Sequence, residues 1–143
     1  MTNNEILYAS FEQAAEKHGD ITDAVCTDLF KRYPKAAHCF TLRGEQFEQE
    51  LKQQMVRDSI YAFFEYLDTP EEVEISFKYT IPQHQSLDIP LEYIVALMQS
   101  VANIACESVS EAERVQTKTC WDNIMQTFSA MIYSYEPDRS ANK

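Results

Sequence analysis

Only two glycines, Gly19 and Gly44, punctuate 143 residues, together with five prolines. A chain so poor in turn formers cannot supply the many tight reversals of an all-β fold, so it must run in long helices with few breaks. Apolar residues make up 45% of it and charged residues 24%, which suits a chain that buries one proper core. The expectation is a single all-α domain over 1–143, with a packed core from about 4 to 135 and a polar tail over 136–143.

Apolar spacing places the elements. Leu7, Phe11, Ala14 and Ala15 share one face of a helix over 4–18, which Gly19 ends as a left-handed cap. Asp20 caps a second helix carrying Ile21, Val25, Cys26, Leu29 and Phe30, which stops at Tyr33 because Pro34 restricts the residue before it. A short corner over 34–43 holds Phe40. Gly44 opens a long helical stretch to about Leu67, with Met55, Val56, Ser59, Ile60, Phe63 and Leu67 inward and a polar first half over 45–54. Val73, Ile75, Phe77, Tyr79 and Ile81 alternate with polar residues, a period-two pattern for which the chain offers no partner strand. The segment 71–83 is therefore read as a loop followed by a short, irregular helix, with Pro82 opposing regular helix. Pro90 opens a helix to about Glu107, and Ser110 to Glu113 forms a capping box for a last helix that buries Trp121, Ile124, Met125, Phe128, Met131, Ile132 and Tyr135. The last two helices should form an antiparallel pair.

A net charge of −11 repels phosphate backbones and anionic membranes, so neither nucleic acid nor membrane is an expected partner. No apolar run approaches the ~20 residues needed to cross a bilayer. The start, Met-Thr-Asn-Asn-Glu, shows no basic region followed by an apolar run, which predicts a cytoplasmic chain. Cys26, Cys39, Cys106 and Cys120 form no Cys-x-x-Cys pair, which suits reduced thiols better than a zinc site or disulfide scaffold. No P-loop, dinucleotide fingerprint or hydrolase nucleophile motif occurs. Glu71, Glu72 and Glu74 read as a solvated run, and the adjacent His38 and Cys39 cannot close a metal site by themselves.

The remaining signal is a register. Phe11 stands 23 residues before Pro34, Pro34 six before Phe40, Phe40 15 before Met55 and Met55 29 before His84, with Ile89 five and Trp121 37 residues after His84. These spacings, and the string Leu-Phe-Lys-Arg-Tyr-Pro-Lys-Ala-Ala-His-Cys-Phe over 29–40, resemble the globin family, in particular single-domain bacterial globins, across residues 4–135. The resemblance implies a globin-like fold of six to seven helices around a central pocket for haem b. It implies that His84 is the proximal iron ligand. It places Phe40 on the haem face, Ile89 at the haem edge, Met55 at the distal position and Ser59 one turn later. Cys26 takes the second-helix position facing bound gas. Tyr93, one residue closer than in the family pattern, would partner the other ring nitrogen of His84. A one-turn shift of the long helix would put Leu51 at the distal position.

The function implied is reversible binding of a diatomic gas, namely oxygen, nitric oxide or carbon monoxide, by a monomer or homodimer. Two alternatives stand beside it. One is nitric oxide dioxygenase activity with a separate reductase, since the chain shows no flavin or nicotinamide module. The other is a haem-free sensor or interaction module of globin shape. Met55 and Cys26 depart from the strong hydrogen-bond donors of many oxygen-binding globins.

Overall fold

The computed structural model describes residues 1–137, so the tail predicted over 136–143 lies outside the described residues from 138 onward. The described residues are all-helical, without strands. Six α-helices follow one another: α1 (Asn3–His18), α2 (Thr22–Arg32), α3 (Glu48–Asp68), α4 (Pro70–Ser86), α5 (Leu91–Ser108) and α6 (Glu111–Tyr133). Two 3-10 turns, Pro34–Phe40 and Glu45–Phe47, join α2 to α3. None of the helices is long and apolar enough to cross a membrane.

The helix ends follow from local chemistry. Thr2 accepts the Glu5 N–H at 3.1 Å and opens α1. Gly19 (φ 67°) closes it, its N–H bonding the Ala15 carbonyl at 2.8 Å. Asp20 accepts the Thr22 N–H at 2.8 Å at the start of α2, and the hydrogen bonds from Thr22 hold the Asp20 carboxyl below its ordinary value. The expected box at Ser110 closes differently. The Ser110 hydroxyl donates to the Glu113 carboxylate at 2.9 Å and does not cap the Glu113 N–H, which bonds the Ser110 carbonyl at 3.0 Å.

The segment 71–83 corrects the sequence reading. It is no loop with an irregular helix but most of α4, which runs through Pro82. The alternating apolar residues contain a helical series: Val73, Phe77 and Ile81, four apart, are buried, while Ile75 (54% exposed) and Tyr79 (75% exposed) face outward. A period of two includes every fourth residue, so the alternation hid a helical face within it. Pro70 at the first position supplies the helix start.

One contiguous core results. α5 lies at its centre, packing against α1, α2, α3 and, most extensively, α6, to which only Val109 and Ser110 connect it. An aromatic cluster ties α1, α3 and α6 together. The Phe63 ring meets Trp121 and Phe128 edge-on, each at 4.9 Å between centroids, and Phe11 meets Trp121 at 5.2 Å. Trp121 is 1% exposed, and its indole N–H is satisfied by the Ser10 hydroxyl at 3.1 Å, which itself donates to the Leu7 carbonyl.

The orientation of α4 can be tested by paired truncations. Phe77→Ala should lower unfolding free energy by about 3–5 kcal/mol, because it empties a core site, whereas Ile75→Ala should change it by about 0.5 kcal/mol or less. Urea denaturation measures both; equal losses would indicate a period-two face.

Candidate functional site

His84 stands in the last turn of α4, and its surroundings fix it at both ends of the residue. The α4 terminus is a Schellman motif. The Ile89 N–H bonds the His84 carbonyl at 3.1 Å, the Asp88 N–H bonds the Gln85 carbonyl at 3.0 Å, and Asp88 takes the left-handed conformation at φ 59°. An aspartate tolerates that conformation better than most side chains. The five-residue interval from His84 to Ile89 is thus closed by one backbone hydrogen bond.

The imidazole is oriented from the other direction. Nδ1 of His84 lies 2.6 Å from the Thr80 carbonyl, one turn earlier in α4. A carbonyl only accepts, so Nδ1 is the donor here, and in the neutral ring Nε2 is then left with its lone pair. This is the tautomer an Nε2 metal ligand needs. The resemblance assigned that bond to Tyr93; here the Tyr93 ring instead packs edge-on against Tyr33, with centroids 5.9 Å apart. Pro82 has no N–H to give the Lys78 carbonyl, so the turn bearing His84 has one fewer tie to the rest of α4.

The other proposed residues lie on α2, the corner and α3. Phe40 is buried, its ring edge-on to that of Phe30 at 5.7 Å. Cys26 is 4% exposed, and burial pushes its thiol up to about 11, so it is a small apolar wall and no thiolate. Met55 is half-buried against the core, as is Leu51 one turn before it. The Ser59 hydroxyl is committed to the Met55 carbonyl at 2.9 Å. Val56 and Phe63 complete the inward face with Ser59, while Ile60 and Leu67 are half-buried.

Surface clefts open among the described residues. One, of about 570 Å³, is lined by Gln85, Ile89, Leu91, Glu92 and Tyr133 among others. The second, of about 240 Å³, lies beside Arg43, Phe47, Glu50, Leu51 and Gln54. Ile89 borders the first and Leu51 the second, and neither is lined by His84 or Met55.

Comparison with protein-family models, with curated proteins and with solved structures found no match to this chain. What the site can do is therefore argued from its own chemistry.

Three participants escaped the sequence reading. The Thr80 carbonyl is backbone and leaves no residue-type signal. Asp88 was legible in principle, as a short polar residue between a helix end and Ile89-Pro90. Lys52 lies in the polar half of the long helix, yet its side chain is only 18% exposed and its ammonium sits 5.3 Å from the centre of the Phe30 ring. A long aliphatic stem lets such a residue cover apolar surface, which hydropathy does not reveal.

Thiol labelling tests the described burial. At pH 8 the native protein should react with iodoacetamide at half-buried Cys39 well before Cys26, whose thiol at about 11 is about one-thousandth ionised there. Denaturant should abolish the difference. Peptide mass spectrometry reads the order, and equal native rates would contradict it.

Proposed function

We propose that this chain is a globin-like protein that would bind haem b through Nε2 of His84 and reversibly hold a diatomic gas, with Cys26 and Met55 as the residues expected to meet that gas. The observation that carries the reading is the hydrogen bond from His84 Nδ1 to the Thr80 carbonyl, which leaves Nε2 bare. The globin-like register supports it, as does the order of packing: α2 on α5, α3 on α4, α5 on α6, and α1 across the last pair.

The proposal rests on one donor, His84, and neither cleft is lined by it, by Phe40 or by Met55. Among the described residues no three His, Cys, Asp or Glu side chains gather into a metal-binding set. His84 would thus hold iron only where the remaining donors come with the cofactor, as they do in haem. Bound haem supplies an iron with a position open to a small gas. The chain's own residues do the rest. The Thr80 carbonyl would orient the imidazole, the Ile89 N–H anchors the His84 backbone, and Phe40 and Met55 would offer apolar surface. Cys26 and Met55 are poor donors, and the Ser59 hydroxyl is already bonded. The three favour gases that need no donated hydrogen bond, carbon monoxide and nitric oxide above oxygen.

A second reading, a haem-free helical module, draws on a different observation: neither cleft joins His84 to Met55.

Haem titration separates the two. Wild type should take up haem tightly with a Soret band. His84→Gly should lose tight uptake and regain it when imidazole is added. No uptake by wild type, or equal uptake by the variant without imidazole, would contradict the proposal.

A further inference from the structure

The polar first half of the long helical stretch, over 45–54, has no part in the site built around His84. It borders the smaller cleft, of about 240 Å³, which is lined by Arg43, Phe47, Glu50, Leu51 and Gln54. Four of these residues stand at spacings of three and four, so they share one face across the second 3-10 turn and the first turns of α3. Arg43 comes from the corner before them, and Gly44 turns the chain in between. The Gly44 φ of 109° is closed to other residues, and a Cβ added there would stand 2.8 Å from the Gln46 amide oxygen. The Gly44 N–H bonds the Thr41 carbonyl at 2.9 Å and the Phe47 N–H bonds the Gly44 carbonyl at 3.1 Å, so the backbone is tied on both sides of the turn. The lining offers three kinds of surface. Arg43 and Glu50 bring opposite charges, and among the described residues neither takes part in an ion pair. Phe47 is 45% exposed, a large ring that the core does not take up, while Leu51 packs partly on the core. Gln54 adds an amide that both donates and accepts.

We infer that this cleft binds a free α-amino acid with an apolar side chain. The Arg43 guanidinium takes the carboxylate through paired N–H donors, the Glu50 carboxylate takes the ammonium, and Phe47 with Leu51 covers the side chain. Size narrows the class. Sites for drug-sized ligands measure about 300–1,000 Å³, so a cleft of about 240 Å³ suits a small metabolite rather than a nucleotide or a peptide. Charge narrows it further. A net charge of −11 disfavours a plain anion, whereas a zwitterion meets both charged walls and adds no net charge. Water screens exposed charges, so the expected Kd is about 0.1–1 mM. His84 does not line this cleft, and the inference holds with or without haem.

The test uses the full chain without added haem and three probes: L-leucine, 4-methylpentanoate, which lacks the ammonium, and 3-methylbutylamine, which lacks the carboxylate. In a proton–nitrogen correlation spectrum L-leucine should shift the Gly44 amide and the Gln54 side-chain amide saturably. The other two should bind about fivefold or more weakly. Arg43→Gln should weaken L-leucine to a similar extent and leave 3-methylbutylamine unchanged. Glu50→Gln should weaken L-leucine and leave 4-methylpentanoate unchanged. Phe47→Ser should weaken all three. These three side chains are exposed, so the variants should fold, which the thermal midpoint checks. No saturable shift by about 10 mM L-leucine would overturn the inference. So would 4-methylpentanoate binding as well as L-leucine, or Arg43→Gln and Glu50→Gln binding L-leucine like wild type. None of these outcomes bears on the haem reading.

Discussion

The burial of α5 is the constraint on which the rest of the structure depends. Nine of its residues are buried, among them Ala96, Ser100, Ala102 and Ala105, whose small side chains let neighbouring helices approach closely. Four other helices rest on it. Its polar exceptions are used rather than tolerated. Arg32 of α2 donates to the Ala96 carbonyl at 2.8 Å and to the Ser100 hydroxyl at 2.6 Å, and its Nε meets Asp28 at 3.2 Å. Asn103 donates to the same Asp28 carboxylate at 3.1 Å, and Gln99 to Asn103 at 3.0 Å. A network satisfied at every member fixes the register of α2 on α5 more specifically than apolar contact alone.

That register carries through to the site. α2 supplies Cys26 and Phe30, and the corner following it supplies Phe40 against Phe30. The Arg32 guanidinium lies 5.6 Å from the centre of the Tyr33 ring, and Tyr33 packs on Tyr93 of α5. Tyr93 is thereby engaged away from His84, whose imidazole is left to the Thr80 carbonyl. The fold thus fixes His84 by backbone alone: a carbonyl one turn before it and an N–H five residues after it.

Much of this was legible in the sequence, for identifiable reasons. Gly19 and Asp20 mark a helix boundary by conformational freedom and by capping, both local effects, and the inward residues of α3 and α6 follow a clear helical spacing. The failures are equally physical. In α4 the series Val73, Phe77 and Ile81 was masked by outward-facing Ile75 and Tyr79, so that two helical stripes summed to a strand pattern. Burial decides between the periods, and burial belongs to tertiary structure. The site shows the same division. Spacing singled out His84, but the partner of its ring is a carbonyl, which every residue possesses, and Lys52 reads as polar although its stem is covered.

The claim at the centre of this account is that His84 is held with Nδ1 protonated and Nε2 free. A long-range proton–nitrogen correlation spectrum of the haem-free protein at pH 8, with His84 assigned through His84→Gln, tests it most directly. The account predicts an Nδ1-protonated ring with an unprotonated Nε2. An Nε2-protonated ring, or a pair of averaged nitrogens typical of a freely exchanging imidazole, would show that the Thr80 carbonyl does not orient His84 and would remove the basis for an iron ligand there.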